Sequence, residues 1–283
     1  MKLWALEYYS CPVCLGTIRL DKATMEDAYN VESGVLICDK CGKLFEVREG
    51  FADFTYPESL HEKDEHWRNF YNEKAEVYDQ ALKHAIVNLG KLFNVASEEE
   101  AEKLLINGRK YLIEKLELTP KAKVLEVSIG TGDTVPMILS KIGSDGLLEG
   151  LDIAINMLKV ARTKMKSLIT ESVNLTVGNA AYLPYKREIF DAVLHIGGIN
   201  TFGDIKRSLW EMARVAKRGA KIVICDEGLA PELRDTPLGR ELIQSNKLFA
   251  SKPPINLLPK DLKVVNLEWV WEGLFYVLEL EKM

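Results

Sequence analysis

Apolar residues change their spacing twice along the chain. Up to about residue 55 they alternate in short runs, and Gly34–Cys38 and Lys43–Val47 read as strands. From 56 to 118 they recur at helical spacing, through Phe70–Phe93 and again through Ala101–Leu116. Pro57 and the polar stretch Leu60–Glu65 read as a linker, and Thr119-Pro120 closes the helical region. From Ala122 onward the pattern alternates. Strands are predicted at Lys123–Val127, Leu147–Asp152, Asn174–Val177, Phe190–Ile196 and Ala220–Asp226, with helices at Asp133–Ile142, Ala154–Leu168 and Asp204–Ala216. Such alternation implies βαβ units and a parallel sheet covered on both faces. The runs Lys263–Trp269 and Gly273–Leu280 are separated by too few residues for a crossover, so they form an antiparallel hairpin. The expected architecture is an α/β, doubly wound, seven-stranded sheet ending in that hairpin, preceded by a small β domain. The divisions fall at 1–55, 56–118 and 119–283.

Composition narrows this picture. The chain has no run near the roughly 18 apolar residues of a membrane span, and Met1–Ser10 does not read as a secretory signal, so a cytoplasmic protein is expected. A net charge of −5 argues against a dedicated nucleic-acid binder, which needs clustered Lys and Arg. The acidic run Ser97–Glu102 reads as an N-capped, solvated helix start.

Four of the five cysteines form two CxxC pairs, Cys11/Cys14 and Cys38/Cys41, with 23 residues between the pairs. In a cytoplasmic chain this spacing favours a metal over disulfides. Four thiolates at roughly 2.3 Å satisfy tetrahedral Zn²⁺ and leave no open position, so the expected role is structural. Gly16 and Gly42 let the two turns curl round the ion. A ribbon this small has little core of its own, which makes the metal a folding element. Cys225 lies within an apolar strand and reads as an inert buried thiol.

The segment Val124–Gly132 is a strand running into a Gly-rich turn and then a helix, and Asp152 ends the next strand twenty residues beyond Gly132. The glycines let backbone pass close beneath a nucleoside, and the carboxylate can accept hydrogen bonds from both ribose hydroxyls. A dinucleotide site is the competing reading. Its GxGxxG pattern fails in either register, the third glycine falling at Val135 or Asp133, and Asp133 at the helix start would repel a pyrophosphate.

With Glu126 as the acid and Gly130 and Gly132 as the second and third glycines, this segment resembles motif I of class I S-adenosylmethionine-dependent methyltransferases; Ser128 stands where the first glycine is usual. Gly150–Arg162 resembles the second-strand segment of that family. Gly178–Pro184 resembles the stretch whose acid lies near the adenine amino group, with Asn179 in the acid's place. Phe190–His195 and Leu209–Gly219 resemble the fourth strand and the helix before the fifth, and the closing hairpin matches the antiparallel seventh strand. The resemblance implies S-adenosylmethionine as cofactor, surrounded by Tyr78, Glu126, Ser128, Gly130, Thr131, Gly132, Asp152, Ile153, Met157, Asn179, Ala180 and His195.

Ile199–Asp204 and Phe70–Asp79 are similar to the ubiquinone/menaquinone C-methyltransferase type, in which a helix carrying A-x-x-Y-D lids the cofactor; Tyr78 and Tyr71 would then cover its methionine end. The Arg-Asn pair of the quinone enzymes is Asn200-Thr201 here, so quinone specificity is not carried over. A small-molecule methyl acceptor is the expected partner. The alternative is RNA base methylation guided by the ribbon, an arrangement resembling a bacterial rRNA guanine methyltransferase; a non-catalytic partner protein is a third class. The acidic balance and Ile196-Gly-Gly-Ile199, in place of an Asn/Asp-Pro-Pro-Tyr/Phe motif, weigh against RNA. His195 is either a base or a space-filling ring beside the methionine moiety, and Asp204 reads as a helix N-cap, so no catalytic base is assigned. Proline-rich Gly228–Pro259 is where acceptor-selective insertions are expected.

Overall fold

The computed structural model describes residues 1–93, 95–166 and 171–283. Four strands come first: β1 (Ile18–Met25), β2 (Val31–Cys38), β3 (Leu44–Arg48) and β4 (Phe51–Asp53). A helical stretch follows, with α1 (Glu62–Lys74), α2 (Tyr78–Asn88), α3 (Gly90–Phe93) and α4 (Glu98–Glu114). Then come β5 (Lys123–Val127), α5 (Val135–Ile142), β6 (Leu147–Asp152), α6 (Ile155–Lys164), β7 (Val173–Val177), β8 (Phe190–Ile196), α7 (Ile205–Val215) and β9 (Ala216–Glu227). Two short helices, α8 (Pro231–Arg234) and α9 (Pro237–Ser245), precede the hairpin β10 (Leu262–Val270) and β11 (Phe275–Lys282).

The expected seven strands run β7-β6-β5-β8-β9-β11-β10, five parallel and the last two antiparallel. The strand count nevertheless needs correction. The N-terminal strands continue the same sheet, making eleven strands among the described residues, because β4 pairs in parallel with β7 through Ala52↔Thr176 and Asp53↔Val177. The added strands are hard to see in the pattern: β4 is three residues long, and β1 exposes most of its side chains. The stretch expected as a linker is also partly helix. His61 caps α1 through its ring, which accepts the N–H of Lys63 at 3.2 Å, so Glu62–Glu65 form its first turn. Helix α5 starts at Val135 rather than Asp133, because Ser128, Gly130 and Gly132 take positive φ and delay it. The end of the predicted helix Ala154–Leu168 falls outside the described residues.

Successive residues of the parallel strands are buried on opposite faces, which explains their near-continuous apolar runs. Leu125, Val127, Val193, Ile222 and Ile224 face a core shared with Tyr9, Phe45 and Phe54 of the N-terminal domain. Val124, Leu148, Ala192, Leu194 and Val223 face the other core, against Leu112 and Ile113 of α4, Ile138 of α5 and Leu158 of α6. The ribbon thus contributes to both main cores, since Phe51 of β4 packs into the second. At that junction Asn174 Nδ2 donates to Tyr9 Oη at 2.8 Å and to buried Glu149 at 3.0 Å, and Tyr9 and Thr176 hydroxyls meet at 2.7 Å.

Candidate functional site

Open α/β sheets bind ligands at the carboxyl ends of their strands, and here a cavity sits at the ends of β5, β6, β7 and β8. Its floor begins in the turn after β5. Gly130 holds φ +59° and donates its N–H to Asp152 Oδ2 at 2.9 Å; Asp152 Oδ1 accepts from Ala154 N–H, also at 2.9 Å. Asp152 is thereby fixed at the end of β6, and burial raises its pKa to about 6. Of the residues singled out in the sequence, Ser128, Gly130, Asp152, Ile153, Met157, Asn179, Ala180 and Tyr78 line this cavity.

The remaining expected residues stand behind it. Glu126 is buried and accepts the Thr134 hydroxyl at 2.5 Å; burial pushes its pKa to about 8. Thr131 donates to Asp79 of α2 at 2.6 Å, and Gly132 lies where a Cβ would come within 3.1 Å of Met165. His195 is fully buried, with Nδ1 2.9 Å from the carbonyl of Val127, and desolvation lowers its pKa to about 4. Its ring packs on Phe202 and does not line the cavity, which fits the space-filling reading rather than a base.

Sequence reasoning named Tyr71 and Tyr78 for the roof and missed Asp64 and Trp67. Asp64, Trp67 and Tyr71 of α1 line the cavity together with Tyr78, and Trp67–Tyr71 and Tyr71–Tyr78 ring centroids are each 5.8 Å apart. Asp64 was hidden in a segment that read as linker. Ile196, Gly197, Gly198, Thr201 and Phe202, after β8, close the far wall. Asp226 shapes that wall, accepting the N–H groups of Asn200 at 2.8 Å and Gly198 at 3.2 Å. Among the described lining residues the charged side chains are Asp64 and Asp152, and none is Lys or Arg.

A network of charges ties the roof to the glycine turn. Lys164 of α6 bonds to Asp79 at 2.5 Å, to Thr131 Oγ1 at 3.1 Å and to Asp133; Arg109 of α4 reaches Asp133 at 2.8 Å.

The second site is the cysteine cluster. The four Sγ atoms lie within 4.8 Å of one another, with Cys11–Cys41 at 3.7 Å and Cys14–Cys38 at 3.5 Å. Four thiolates about 2.3 Å from one tetrahedral ion would sit roughly 3.8 Å apart, so the donor set fits Zn²⁺. Each knuckle is a tight turn, with Leu15 N–H on Cys11 O at 2.8 Å and Gly42 N–H on Cys38 O at 2.9 Å. Gly16 has no room for a side chain, since a Cβ would stand 2.9 Å from Cys38 Sγ.

With this geometry in hand, known proteins become informative. Residues 106–233 match the model of the ubiE/COQ5 methyltransferase family, and residues 6–50 match that of the Trm112p-like proteins. Over 125 residues, 44% of this chain and 52% of the relative, it is 38% identical to the demethylmenaquinone methyltransferase of Bacillus mycoides (strain KBAB4). The chain spans about half the length of the curated relatives it matches. Among solved structures, geranyl diphosphate C-methyltransferase from Streptomyces coelicolor A3(2) superposes with a TM-score of 0.62 at 12% identity, covering 80% of this chain and all of that one. A chain from the complex between the Haloferax volcanii Trm112 methyltransferase activator and a methyltransferase gives 0.53 at 12% identity, covering 78% and 98%. At such identities these two show the class I methyltransferase fold, which the strand order independently displays.

Proposed function

We propose that the protein transfers the methyl group of S-adenosylmethionine to a small-molecule acceptor of the quinone-ring type, with residues 119–283 forming the cofactor domain and 56–118 its lid. The observation that carries this reading is the charge of the cavity. Its lining offers two carboxylates, aromatic faces and no cation. That suits a sulfonium ligand and is wrong for the phosphates of a dinucleotide. Asp152 takes the ribose hydroxyls, the turn at Gly130 passes beneath the nucleoside, and Tyr71 and Tyr78 cover the methionine end. S-adenosylmethionine supplies an activated methyl on positive sulfur. The chain's part is to align an acceptor atom for in-line displacement and to exclude water, and the aromatic roof and glycine-rich wall serve both ends. The likeness to demethylmenaquinone methyltransferases supports a ring acceptor.

Cys11, Cys14, Cys38 and Cys41 hold structural Zn²⁺ in this reading, and the ribbon of residues 1–55 is the built-in counterpart of the separate activator chain. The test uses methyl-labelled S-adenosylmethionine with demethylmenaquinone, and in parallel with a cell extract separated into organic-soluble, small aqueous, RNA and protein fractions. Label in the quinone or organic fraction is expected. Label confined to RNA would reassign the ribbon as an RNA-positioning element and overturn the acceptor class.

A further inference from the structure

We propose that Asp64, on the lid helix α1, is the residue that reads the 6-amino group of the adenine. This rests on the reading that the cavity holds S-adenosylmethionine. The position where the sequence pattern leads one to expect a carboxylate is Asn179, just beyond β7. An asparagine carbonyl can accept from the amine, but here one of its two lone pairs is already used and it carries no net charge. Asn179 Oδ1 accepts the N–H of Ala181 at 2.9 Å, and Nδ2 donates to Asp64 Oδ2 at 3.3 Å. Flipping the amide would set its NH₂ against a backbone N–H and its carbonyl against a carboxylate, so its orientation is fixed by its neighbours. The Asp64 carboxylate is the stronger acceptor at this end of the cavity: it carries the charge, and with Asn179 Nδ2 and the Gly203 N–H bound it keeps about two of its lone-pair sites free.

Asp64 is about nine-tenths buried and lines the same cavity as Asn179, Gly178 and Ala180. Its other oxygen is anchored by the N–H of Gly203 at 2.7 Å. The apolar lining at Leu151, Ile153 and Met157 gives a purine ring a surface to lie on, with Asp152 at the ribose side. A carboxylate only accepts hydrogen bonds, so it selects a 6-amino purine against a 6-oxo purine, which would turn an oxygen toward it. Because Asp64 rides on the lid, base discrimination is assembled only when α1 is seated.

The test compares binding of S-adenosylhomocysteine and S-inosylhomocysteine, which differ at the 6-position, by calorimetry on the full chain. The wild type is expected to prefer the adenosyl compound about tenfold or more, the range for one hydrogen bond to a charged group. Asp64→Asn, able to offer either a carbonyl or an NH₂, brings the two affinities within about twofold. The double variant Asp64→Ala with Asn179→Asp moves the carboxylate across the contact and restores the preference. A role confined to holding the lid would lower both affinities equally and leave the ratio at its wild-type value; that result in Asp64→Asn overturns the assignment. Failure of the wild type to bind either compound would instead sink the cofactor reading itself.

Discussion

The carboxylate of Asp64 accepts the backbone N–H of Gly203 across 2.7 Å, joining the first turn of α1 to the loop that follows β8. The contact needs a glycine. A Cβ at position 203 would stand 2.6 Å from the His61 ring and 2.8 Å from Asp64 Oδ2. Overfilling a close contact of this kind costs about 1–3 kcal/mol. Because the clash falls between lid and loop, the cost is expected in cofactor affinity. Gly203→Ala should bind S-adenosylhomocysteine about tenfold more weakly, read through the fluorescence of Trp67 in the cavity roof, with little change in melting temperature. Wild-type affinity in this variant would show that the seat of α1 does not matter for binding.

Lys164 makes the second lid connection, to Asp79, Thr131 and Asp133. These groups are about one-third exposed, so the network is worth only ~1 kcal/mol after solvent screening. Lys164→Met should therefore barely alter stability, yet raise KM for the cofactor several-fold while leaving kcat near wild type. Raising ionic strength should weaken cofactor binding in the wild type and have less effect in the variant. Identical salt dependence in both would remove this network from cofactor binding.

Metal removal should be felt across the molecule, because Tyr9, Phe45 and Phe54 of the ribbon share a core with Leu125 and Val193 of the central sheet. Purified protein is expected to release about one Zn²⁺ per chain to a colorimetric chelator once its thiols are blocked. Cys14→Ser, or exhaustive chelation, should lower the melting temperature of the whole chain and weaken cofactor binding. If only the ribbon melts, with cofactor affinity intact, the shared core does not couple the two.

Glu149 sets a pH dependence of its own. Burial raises its pKa to about 8, against hydrogen bonds from Asn174, Tyr185 and Thr176 that favour the anion. The folded state keeps the proton that the unfolded chain, with a value near 4.5, gives up. The stabilisation from this group is thus complete below about pH 4.5 and is lost as pH rises toward 8. Glu149→Gln, which keeps the shape and cannot ionise, should melt higher than wild type at pH 8 and close to it at pH 4.5. Parallel melting curves across that range would mean the carboxylate ionises freely in the folded protein.

The alternation of strand and helix after Ala122 was legible because each parallel strand is buried on both faces and punctuated by glycine or a capping residue, as Asp204 caps α7 by accepting Arg207 N–H at 2.9 Å. The cysteine spacing was legible because four-sulfur geometry allows few arrangements. The cavity floor could be read for the same reason: a turn that needs Gly130, followed at fixed distance by Asp152, is a local constraint. The roof was legible only in part: Tyr71 and Tyr78 could be named, whereas Asp64 and Trp67 reach the cavity through contacts far away in sequence, and Asp64 sits in a stretch polar enough to look like linker. At a strand end His195 left two readings open, and the structure turns its ring inward to Val127 and Phe202. The β4–β7 seam escaped notice because three residues carry too little pattern to identify a strand.

That seam has a consequence for how the chain is made. β4 leaves the ribosome long before β7 exists to pair with it, so the nascent ribbon carries an unsatisfied strand edge while the central parallel sheet is still being synthesised. The four cysteines are by then all present, so with an ion bound as proposed the ribbon would fold first, and β7, arriving late, would be laid down against an edge already in place.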